Sequence, residues 1–439
     1  MADSSTKTGL VPVEDHLAEI LGVIRPLAPA EVGLGDADGL VLAEDVTAAS
    51  ALPSFDNSAM DGYAVRVGDV AAASAEHPVT LPVAAEVAAG DTGAYALRPG
   101  TSIRIMTGAM VPDGTEAVVP VEWTDGGRSS VTIRAAAQAG NAIRLAGGDA
   151  QAGQVLVTEG TRLRAMHIAV IAAAGRGTVR VRPRPRVVVL STGSELAEPG
   201  TPIVPGRIWD SNSFMIVAAA REAGCLACRR AIIPDHPEQV LPAIEAQVAS
   251  ADLVVTTGGV SMGGEYDVVK AALQRLGTIR FRKVAMQPGM PQGFGTIAAA
   301  PPPPGEETRR RWFKAAPYDE DSPATEPEPV PIFTLPGNPV SAYVSFQIFA
   351  RPAIGALQAD DGLGLESIQA ELTGPLRSPP GRRSFLRGVL DRSRGQITPL
   401  TGQGSHQVAT LGQANALVVV PEWVVQMAGG DAAEVLVLP

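Results

Sequence analysis

Three continuous apolar runs between residues 187 and 335 predict buried strands. They cover residues 187–190, 253–255 and 332–335, and stretches with helical spacing lie around 214–223, 237–249 and 267–276. Such runs are typical of parallel strands that helices cover on both faces. The alternation of strand, loop and helix therefore predicts an α/β domain with a parallel sheet.

Each apolar run ends in a loop of small residues. These loops, at 191–195, 256–261 and 336–339, are rich in Gly, Ser, Thr and Pro. Ligands of parallel sheets bind beyond the carboxyl ends of the strands. Backbone N–H groups, hydroxyls and the N-terminal dipole of a following helix all favour an anion there. We expect a phosphate or another tetrahedral oxyanion at this edge.

The rest of the chain predicts smaller modules. A helix over 13–24 and a half-buried strand over 39–46 come first, and another helix is centred on 166–174. Short alternating segments fill 53–134 and the region after 355. We predict a discontinuous N-terminal domain (1–47 and 141–180), an inserted β-rich domain (48–140), the α/β domain (181–356) and a C-terminal β domain (357–439). Proline and charge enrichment predicts a disordered loop at about 298–331.

Composition narrows the class of protein. The chain has 439 residues and a net charge of −11, which argues against nucleic acid as a general partner. Its apolar runs are too short to span a membrane, and residues 1–9 are mostly polar, so we expect a cytoplasmic protein.

Cys225 and Cys228 are the only cysteines; one pair supplies half a zinc site, and we interpret them as structural thiols.

Four further blocks carry candidate chemistry, each with a simpler alternative. They lie at 53–65, 104–112, 257–267 and 335–342. Asp and Asn in the first block are equally typical of turns. An Asp at a helix start, as in the third block, is more often a cap than a catalyst. Beside an anion-binding loop, however, a carboxylate can also hold Mg²⁺ against phosphate oxygens.

Taken together and in order, these blocks resemble the molybdopterin molybdenumtransferase family, the MoeA-type enzymes that include the E domain of gephyrin. The most specific segments are 58–64, 105–109, 192–196, 210–212, 258–261 and 335–341, and the resemblance spans nearly the whole chain. It implies an elongated multidomain α/β plus β protein. A central molybdopterin-binding-type α/β domain would be joined by smaller β-rich domains, and the N-terminal domain would mediate a homodimer.

The resemblance also implies a reaction. Adenylylated molybdopterin and molybdate would be substrates, Mg²⁺ would be required, and the products would be molybdenum cofactor and AMP. Contacts with the preceding adenylyltransferase and with acceptor molybdoenzymes are implied as well. No nucleic-acid or membrane partner is expected.

Residue roles follow from the matching positions. Catalytic roles are implied for five residues: Asp61, Thr107, Asp149, Glu195 and Asp267. Glu195 and Asp267 would hold Mg²⁺, while the first three would reach the cleft from the dimer mate. The substrate-binding set is Thr192, Gly193, Ser194, Asp210, Ser211, Asn212, Gly258, Gly259, Ser261, Pro336, Gly337, Asn338 and Ser341. Arg387 and Ser405 are the candidates for binding molybdate.

The sequence departs from the family pattern at specific places. Gln287 and Met290 stand where many members carry lysines. Either Arg282 or Lys283 replaces those charges, or molybdate binds more weakly. The loop at 261–267 is one residue longer than usual, which leaves Glu265 as an alternative to Asp267 as metal ligand.

Two other functions stay open at this stage. A molybdopterin adenylyltransferase shares the α/β domain, although the additional β modules count against it. A non-catalytic dimeric scaffold is the second alternative. The carboxylates at the implied catalytic positions disfavour a purely structural role.

Overall fold

The computed structural model describes residues 9–234, 236–248, 250–259, 268–274, 278–298 and 329–439. Within these residues the chain forms two compact units. One comprises the segment up to Val32 together with Gly39–Ala43 and Arg180–Pro439. The other comprises Gly33–Asp38 and Glu44–Val179, and we call it the β-rich unit.

Helices lie mainly in the first unit. The helices are α1 (Val13–Val23), α2 (Val67–Val70), α3 (Ala165–Ala173), α4 (Asn212–Glu222), α5 (Pro237–Val248), α6 (Val268–Gln274), α7 (Pro339–Ser345) and α8 (Arg351–Gln358), with a π-helical turn at Phe346–Ala350. The predicted helices at 13–24, 166–174, 214–223, 237–249 and 267–276 correspond to α1, α3, α4, α5 and α6.

Strands dominate the remaining structure. Up to residue 182 they are β1 (Ala30–Gly33), β2 (Val41–Leu42), β3 (Val46–Thr47), β4 (Asn57–Ser58), β5 (Gly62–Val65), β6 (Val79–Val87), β7 (Ser102–Ile105), β8 (Ala117–Pro120), β9 (Ser130–Ile133), β10 (Ile143–Arg144), β11 (Val155–Val157) and β12 (Thr178–Arg182). They continue with β13 (Arg186–Ser191), β14 (Leu196–Ala197), β15 (Ile208–Trp209), β16 (Leu226–Arg229), β17 (Leu253–Thr257), β18 (Arg280–Lys283), β19 (Met286–Gln287), β20 (Pro291–Ile297) and β21 (Val330–Leu335). The last are β22 (Ser367–Leu372), β23 (Leu376–Arg377), β24 (Arg383–Asp391), β25 (Gln396–Pro399), β26 (Ala416–Val420), β27 (Gln426–Met427) and β28 (Ala432–Val437).

The central α/β sheet has the order β16-β13-β17-β21-β20-β18 among the described strands. The first four strands are parallel to one another. Strand β20 pairs antiparallel with β21, and β18 pairs antiparallel with β20. Val187 and Val189 pack into one apolar core, whereas Val188 and Leu190 pack into a second core on the opposite face. Burial on both faces explains the continuous apolar runs and confirms the predicted parallel sheet.

The C-terminal sheet curves back on itself. In the described part of the chain its order is β19-β24-β25-β22-β28-β26, and an additional pairing of β24 with β26 closes it. Leu386 and Val418 face its own apolar core, whereas Phe385 joins the core of the α/β domain. Strand β24 therefore has one face inside the sheet and one face against the α/β domain.

The β-rich unit is built on the sheet β8-β5-β7-β6-β9. Alternate residues of β5 enter different apolar clusters, since Tyr63 and Val65 pack in one and Ala64 in the other. This period-2 alternation is what the sequence pattern of 53–134 predicts. The predicted class, a multidomain α/β plus β fold with a central α/β domain, is confirmed; the predicted domain boundaries stay predictions.

Two local predictions are wrong. The single strand expected over 39–46 is two short strands, because β2 pairs with β12 and β3 pairs with β11. Asp45 lies between β2 and β3, and its side chain accepts a hydrogen bond from the backbone N–H of Glu159 at 2.8 Å. The disordered loop predicted to end near 331 overlaps β21, which begins at Val330; residues 299–328 lie outside the described residues.

No helix within the described ranges combines the length and the apolar character that crossing a bilayer requires.

Candidate functional site

The loops that follow β13, β17 and β21 meet at the carboxyl edge of the sheet. The backbone N–H of Thr192 donates to the carbonyl of Thr257 at 3.0 Å, and the N–H of Gly258 donates to the carbonyl of Leu335 at 3.2 Å. The three strand ends are therefore tied to each other by their own backbones. This places the predicted anion-binding loops side by side.

Close approach of these loops depends on glycine. Gly258 has φ +95°, and a Cβ there would lie 2.4 Å from the carbonyl oxygen of Thr192. A Cβ on Gly337 would lie 3.5 Å from the Cα of Gly258. Only glycine fits position 258, since any side chain would collide with backbone. The surface at this edge is consequently made of backbone, which suits an anion held by N–H groups.

Asp210 lies beneath this edge and is 1% exposed. Its carboxylate accepts hydrogen bonds from the Ser191 hydroxyl (3.0 Å), the Ser213 N–H (3.1 Å) and the Ser213 hydroxyl (2.5 Å). The Ser191 hydroxyl also lies 3.1 Å from that of Thr257. Asp210 thus joins the ends of β13 and β17 to the start of α4. Its predicted contact with substrate stays a prediction.

Arg229 completes this buried network. It donates to both carboxylate oxygens of Glu198 at 2.9 Å and approaches Asp210 at 3.4 Å. Hydrogen bonding to Glu198 raises the pKa of Arg229. The guanidinium carbon also lies 4.2 Å from the centre of the Phe214 ring. One guanidinium thus faces two carboxylates, those of Glu198 and Asp210.

Asn212 opens α4 and faces the third loop. Its side-chain amide donates to the carbonyl of Gly337 at 2.7 Å, while Oδ1 is buried without a partner among the described residues. The neighbouring Ser211 is exposed. A buried oxygen without a partner is costly unless a ligand or water supplies a donor. Asn212 can therefore accept one hydrogen bond from a bound molecule.

A shallow, open depression lies beside Asp210 and Ser211. Its other walls come from Pro199, Gly200, Trp209 and Phe214. The indole N–H of Trp209 donates to the carbonyl of Thr201 at 3.1 Å, which fixes the ring. An aromatic wall beside a few polar groups is typical of a site for a flat heterocycle.

Glu195 is an exposed carboxylate next to the first loop. A Cβ on Gly193 would lie 2.5 Å from one of its oxygens, so the side chain is folded over the glycine. Thr192 is buried and Ser194 is exposed. The structure therefore places one of the two predicted magnesium ligands at the cleft edge.

The loop after β21 reaches the C-terminal sheet. Asn338 donates through its side-chain amide to the Ser405 hydroxyl at 3.0 Å, and the N–H of Val340 donates to the Ser405 carbonyl at 3.1 Å. Pro336 and Ser341 are buried, whereas Asn338 is exposed. Ser405 is thereby brought to the loop that follows β21, and its predicted contact with molybdate stays a prediction.

Arg387 is placed differently from Ser405. It is 1% exposed, and its guanidinium bonds to carbonyl groups of the loop that carries Ser405. Its predicted direct contact with molybdate remains a prediction.

A different arginine accompanies Gln287, one of the two positions where the family resemblance predicts a lysine. The guanidinium of Arg382 lies 3.5 Å from Oε1 of Gln287, because β19 pairs in parallel with β24. Arg282, which the sequence offered as a replacement, instead contacts Glu19 at 3.3 Å. Sequence reasoning missed Arg382, and only the pairing of β19 with β24 could have revealed it.

Asp61 and Thr107 meet in the β-rich unit. Oδ1 of Asp61 accepts hydrogen bonds from the Thr107 backbone N–H at 2.7 Å and from its hydroxyl at 2.8 Å. These bonds lower the pKa of Asp61. Asp149 lies on an exposed loop whose backbone N–H donates to the carbonyl of Leu52 at 2.9 Å. Asp61 and Asp149 are thus both exposed carboxylates of this unit.

Part of the predicted site cannot be placed. Ser261 and Asp267 lie outside the described residues, as does the alternative ligand Glu265. Gly259, the last residue described before that segment, has φ +67°.

Comparison with known proteins covers nearly the whole chain. Residues 11–175 match the family described as MoeA N-terminal region (domain I and II), 188–356 match the probable molybdopterin binding domain, and 369–438 match the MoeA C-terminal region (domain IV). The N- and C-terminal matches disfavour the adenylyltransferase alternative, which rests on the α/β domain alone.

Individual relatives agree with the family matches. Molybdopterin molybdenumtransferase 2 of Mycobacterium tuberculosis (strain ATCC 25618 / H37Rv) is 42% identical over 429 residues, covering 96% of this chain and 98% of that protein. Molybdopterin molybdenumtransferase of Bacillus subtilis (strain 168) is 32% identical over 435 residues, covering 98% and 94%. The crystal structure of the molybdopterin biosynthesis MoeA protein from Pyrococcus horikosii is similar with a TM-score of 0.80 and 29% identity, covering 98% and 99%. The chain therefore belongs to the molybdopterin molybdenumtransferase family of enzymes in molybdenum cofactor biosynthesis.

Proposed function

We propose that the cleft takes adenylylated molybdopterin and molybdate, releases AMP and yields molybdenum cofactor. The observation that carries this proposal is the meeting of three strand-end loops at Thr192, Gly258 and Gly337. Their backbone surface suits the phosphates of the substrate. The open depression lined by Trp209 and Phe214 would suit a flat ring system, either the pterin or the adenine.

The residues at the cleft edge fit a magnesium ion. Mg²⁺ prefers one or two carboxylates together with water and substrate phosphate oxygens. Glu195 supplies one exposed carboxylate, folded over Gly193 beside the loops. Asp267 is the proposed second ligand by position in the sequence. The ion would neutralise charge on the phosphoanhydride, while the loops orient the phosphates.

Molybdate would lie where the C-terminal sheet meets the substrate loops. The Ser405 hydroxyl and the Asn338 side chain are in contact there, and each carries hydrogen-bonding capacity. The Arg382 guanidinium beside Gln287 is the nearest replacement for the missing lysine that the contacts reveal. A guanidinium can donate two parallel hydrogen bonds to a tetrahedral dianion such as molybdate.

A second copy of the chain would complete the site. Residues 53–61 form hydrogen bonds with the segments 108–111 and 142–147. These three segments expose large apolar side chains, namely Phe55, Met60, Met110 and Leu145. Exposed apolar groups beside functional carboxylates are typical of an interaction surface. Helix α3 also exposes Met166 and Val170. These surfaces support the homodimer in which Asp61, Thr107 and Asp149 reach the partner's cleft.

The cellular setting belongs to the same proposal. A cytoplasmic enzyme would receive its substrate from the adenylyltransferase and pass its product to acceptor molybdoenzymes. The scaffold alternative predicts binding without turnover.

The direct test of the chemistry is AMP release. Purified protein would be mixed with adenylylated molybdopterin, with and without molybdate and Mg²⁺, and AMP would be quantified by chromatography. We expect release that requires Mg²⁺ and accelerates with molybdate. Glu195→Gln should lower the rate, whereas Glu366→Gln, which alters an exposed ion pair with Arg392 in the C-terminal sheet, should not. Absence of AMP release would favour the scaffold.

A further inference from the structure

Arg387 carries a buried positive charge on the outer side of β24. Its Nη1 donates to the Gln407 carbonyl and to the Thr410 hydroxyl, both at 2.7 Å. Its Nη2 donates to the carbonyls of Gly402 (2.7 Å) and Gly404 (3.1 Å). All four acceptors belong to residues 402–410, which we call the Ser405 loop.

The backbone of Arg387 holds the same loop. Its N–H donates to Oε1 of Gln403 at 3.0 Å, and its carbonyl accepts from Nε2 of Gln403 at 2.9 Å. Within the loop, the N–H of Gly404 donates to Oε1 of Gln407 at 2.7 Å. One arginine therefore organises the Ser405 loop from the inside. The planar guanidinium suits this task because its donors point in fixed directions.

The other side of the Ser405 loop faces the substrate loops. Ser405 accepts hydrogen bonds from the Asn338 side chain at 3.0 Å and from the Val340 N–H at 3.1 Å. Phe385, two residues before Arg387 on the same strand, packs in the core of the α/β domain. A continuous set of contacts thus runs from Arg387 through the Ser405 loop to Asn338.

The charge of Arg387 is not neutralised by an ion pair with any described residue. Its acceptors are carbonyl and hydroxyl oxygens, which carry only partial charge. Burial lowers the pKa of Arg387, but arginine remains protonated near neutral pH. A buried cation of this kind makes the loop above it attractive to anions.

We propose that Arg387 is a positioning residue that fixes the Ser405 loop and adds positive potential beneath it, without itself contacting molybdate. This inference rests on the proposed function of the site. A direct contact through Nη1 or Nη2 would require the guanidinium to leave four hydrogen bonds. The third donor, Nε, has no partner among the described residues but is itself buried, so a contact through it would require the covering residues to open. Arg387 would instead fix the position of Ser405.

The test combines hydrogen exchange of the Ser405 loop with the kinetics of AMP release. In the wild type we expect slow exchange across 402–410 that molybdate does not accelerate. Arg387→Lys keeps the positive charge but loses the planar guanidinium with its fixed donors. Hydrogen exchange of the Ser405 loop should therefore become faster, and KM for molybdate should rise about tenfold. Arg387→Met should raise KM further. The kcat at saturating molybdate should stay within about twofold in both variants, because binding is the affected step.

Controls separate the outcomes. Arg392→Lys, in an exposed ion pair with Glu366 on the same sheet, should alter neither exchange of the loop nor kinetics. If Arg387→Met fails to fold, Thr410→Val removes one acceptor of Arg387 together with the hydrogen bond that the Thr410 hydroxyl donates to the Gln407 carbonyl, and it should give a smaller effect of the same kind.

Two results would overturn the inference. One is faster exchange of the wild-type loop on adding molybdate, since that means Arg387 leaves the loop to bind it. The other is a raised KM in Arg387→Lys with unchanged exchange. Wild-type protein that releases no AMP would refute the proposed function instead, and the exchange of Arg387→Lys would still decide whether this arginine fixes the loop.

Discussion

Asp210→Asn should weaken the enzyme by loosening the cleft, although the residue is buried beneath it. The carboxylate receives three hydrogen bonds, from the Ser191 hydroxyl and from the N–H and hydroxyl of Ser213. These bonds tie the end of β13 to the start of α4. Asparagine keeps the size of the side chain but removes the charge.

The magnitude follows from those three bonds. A hydrogen bond to a charged acceptor contributes about 1.5–3 kcal/mol, and one to a neutral acceptor about 0.5–1.5 kcal/mol. A loss of about 1 kcal/mol for each bond gives about 3 kcal/mol in total. That corresponds to a fall in Tm of roughly 10 °C for a domain of this size. Displacement of the loops should also lower kcat/KM by on the order of tenfold or more.

A matched control lies at the opposite end of the same strands. Asp252 precedes β17 and accepts three hydrogen bonds from Arg186, at 2.8, 2.9 and 2.5 Å, where β13 begins. Asp252→Asn should therefore lower Tm by a similar amount. Its kcat/KM below the transition should stay within about twofold of the wild type, because the amino-terminal strand ends lie away from the cleft.

Calorimetry and molybdate-dependent AMP release would be measured on both variants at the same temperature. The reasoning is refuted if Asp210→Asn keeps wild-type kcat/KM while losing stability. It is equally refuted if Asp252→Asn loses as much activity as Asp210→Asn, since the effect would then be one of general destabilisation.

Three further variants test other parts of the structure. Thr107→Val should raise the pKa of Asp61, because one of its hydrogen-bond donors is lost; carboxyl ¹³C NMR measures the shift. Burial lowers the pKa of His16 from 6.5 to about 4, so the folded protein binds fewer protons than the unfolded chain. His16 therefore stabilises the fold above pH 6.5 and loses about 3 kcal/mol of that contribution as pH falls towards 4. His16→Gln should flatten the dependence of urea unfolding on pH in that window. Gln287→Lys should lower KM for molybdate about tenfold, because a dianion gains a second cation beside Arg382.

Each of these has a contradicting outcome. An unchanged Asp61 titration in Thr107→Val would mean that the hydroxyl is not a significant donor; Thr80→Val, in the same unit, is the control and should leave that titration alone. Identical pH dependence in wild type and His16→Gln would show that another group carries the acid sensitivity. A molybdate KM that is unchanged or raised in Gln287→Lys would place the oxyanion elsewhere.

The fold was predictable wherever local pattern determines structure. Residues 187–190 are apolar on both faces of β13, and this pattern predicted the parallel sheet and the loops beyond it. The helices between the strands followed from their spacing. Local pattern failed at 39–46, because the partners of β2 and β3 lie more than a hundred residues away, in β12 and β11.

The candidate site was predictable in residue type but not in burial. Asp210 and Arg387 look like groups that meet a ligand, since charged residues are seldom fully buried. The structure encloses both and surrounds them with protein partners. Arg382 shows the converse, because its position beside Gln287 depends on a strand pairing that no local motif reveals.

Reconstitution of a molybdoenzyme tests the proposed chemistry most directly. The purified wild-type protein would be incubated with adenylylated molybdopterin, Mg²⁺ and molybdate, and then with a cofactor-free molybdoenzyme whose activity is assayed. We expect activity that depends on this protein and on molybdate and that falls in Asp210→Asn but not in Asp252→Asn. Release of AMP without any reconstituted activity, or no dependence on the protein, would contradict insertion of molybdenum at this cleft.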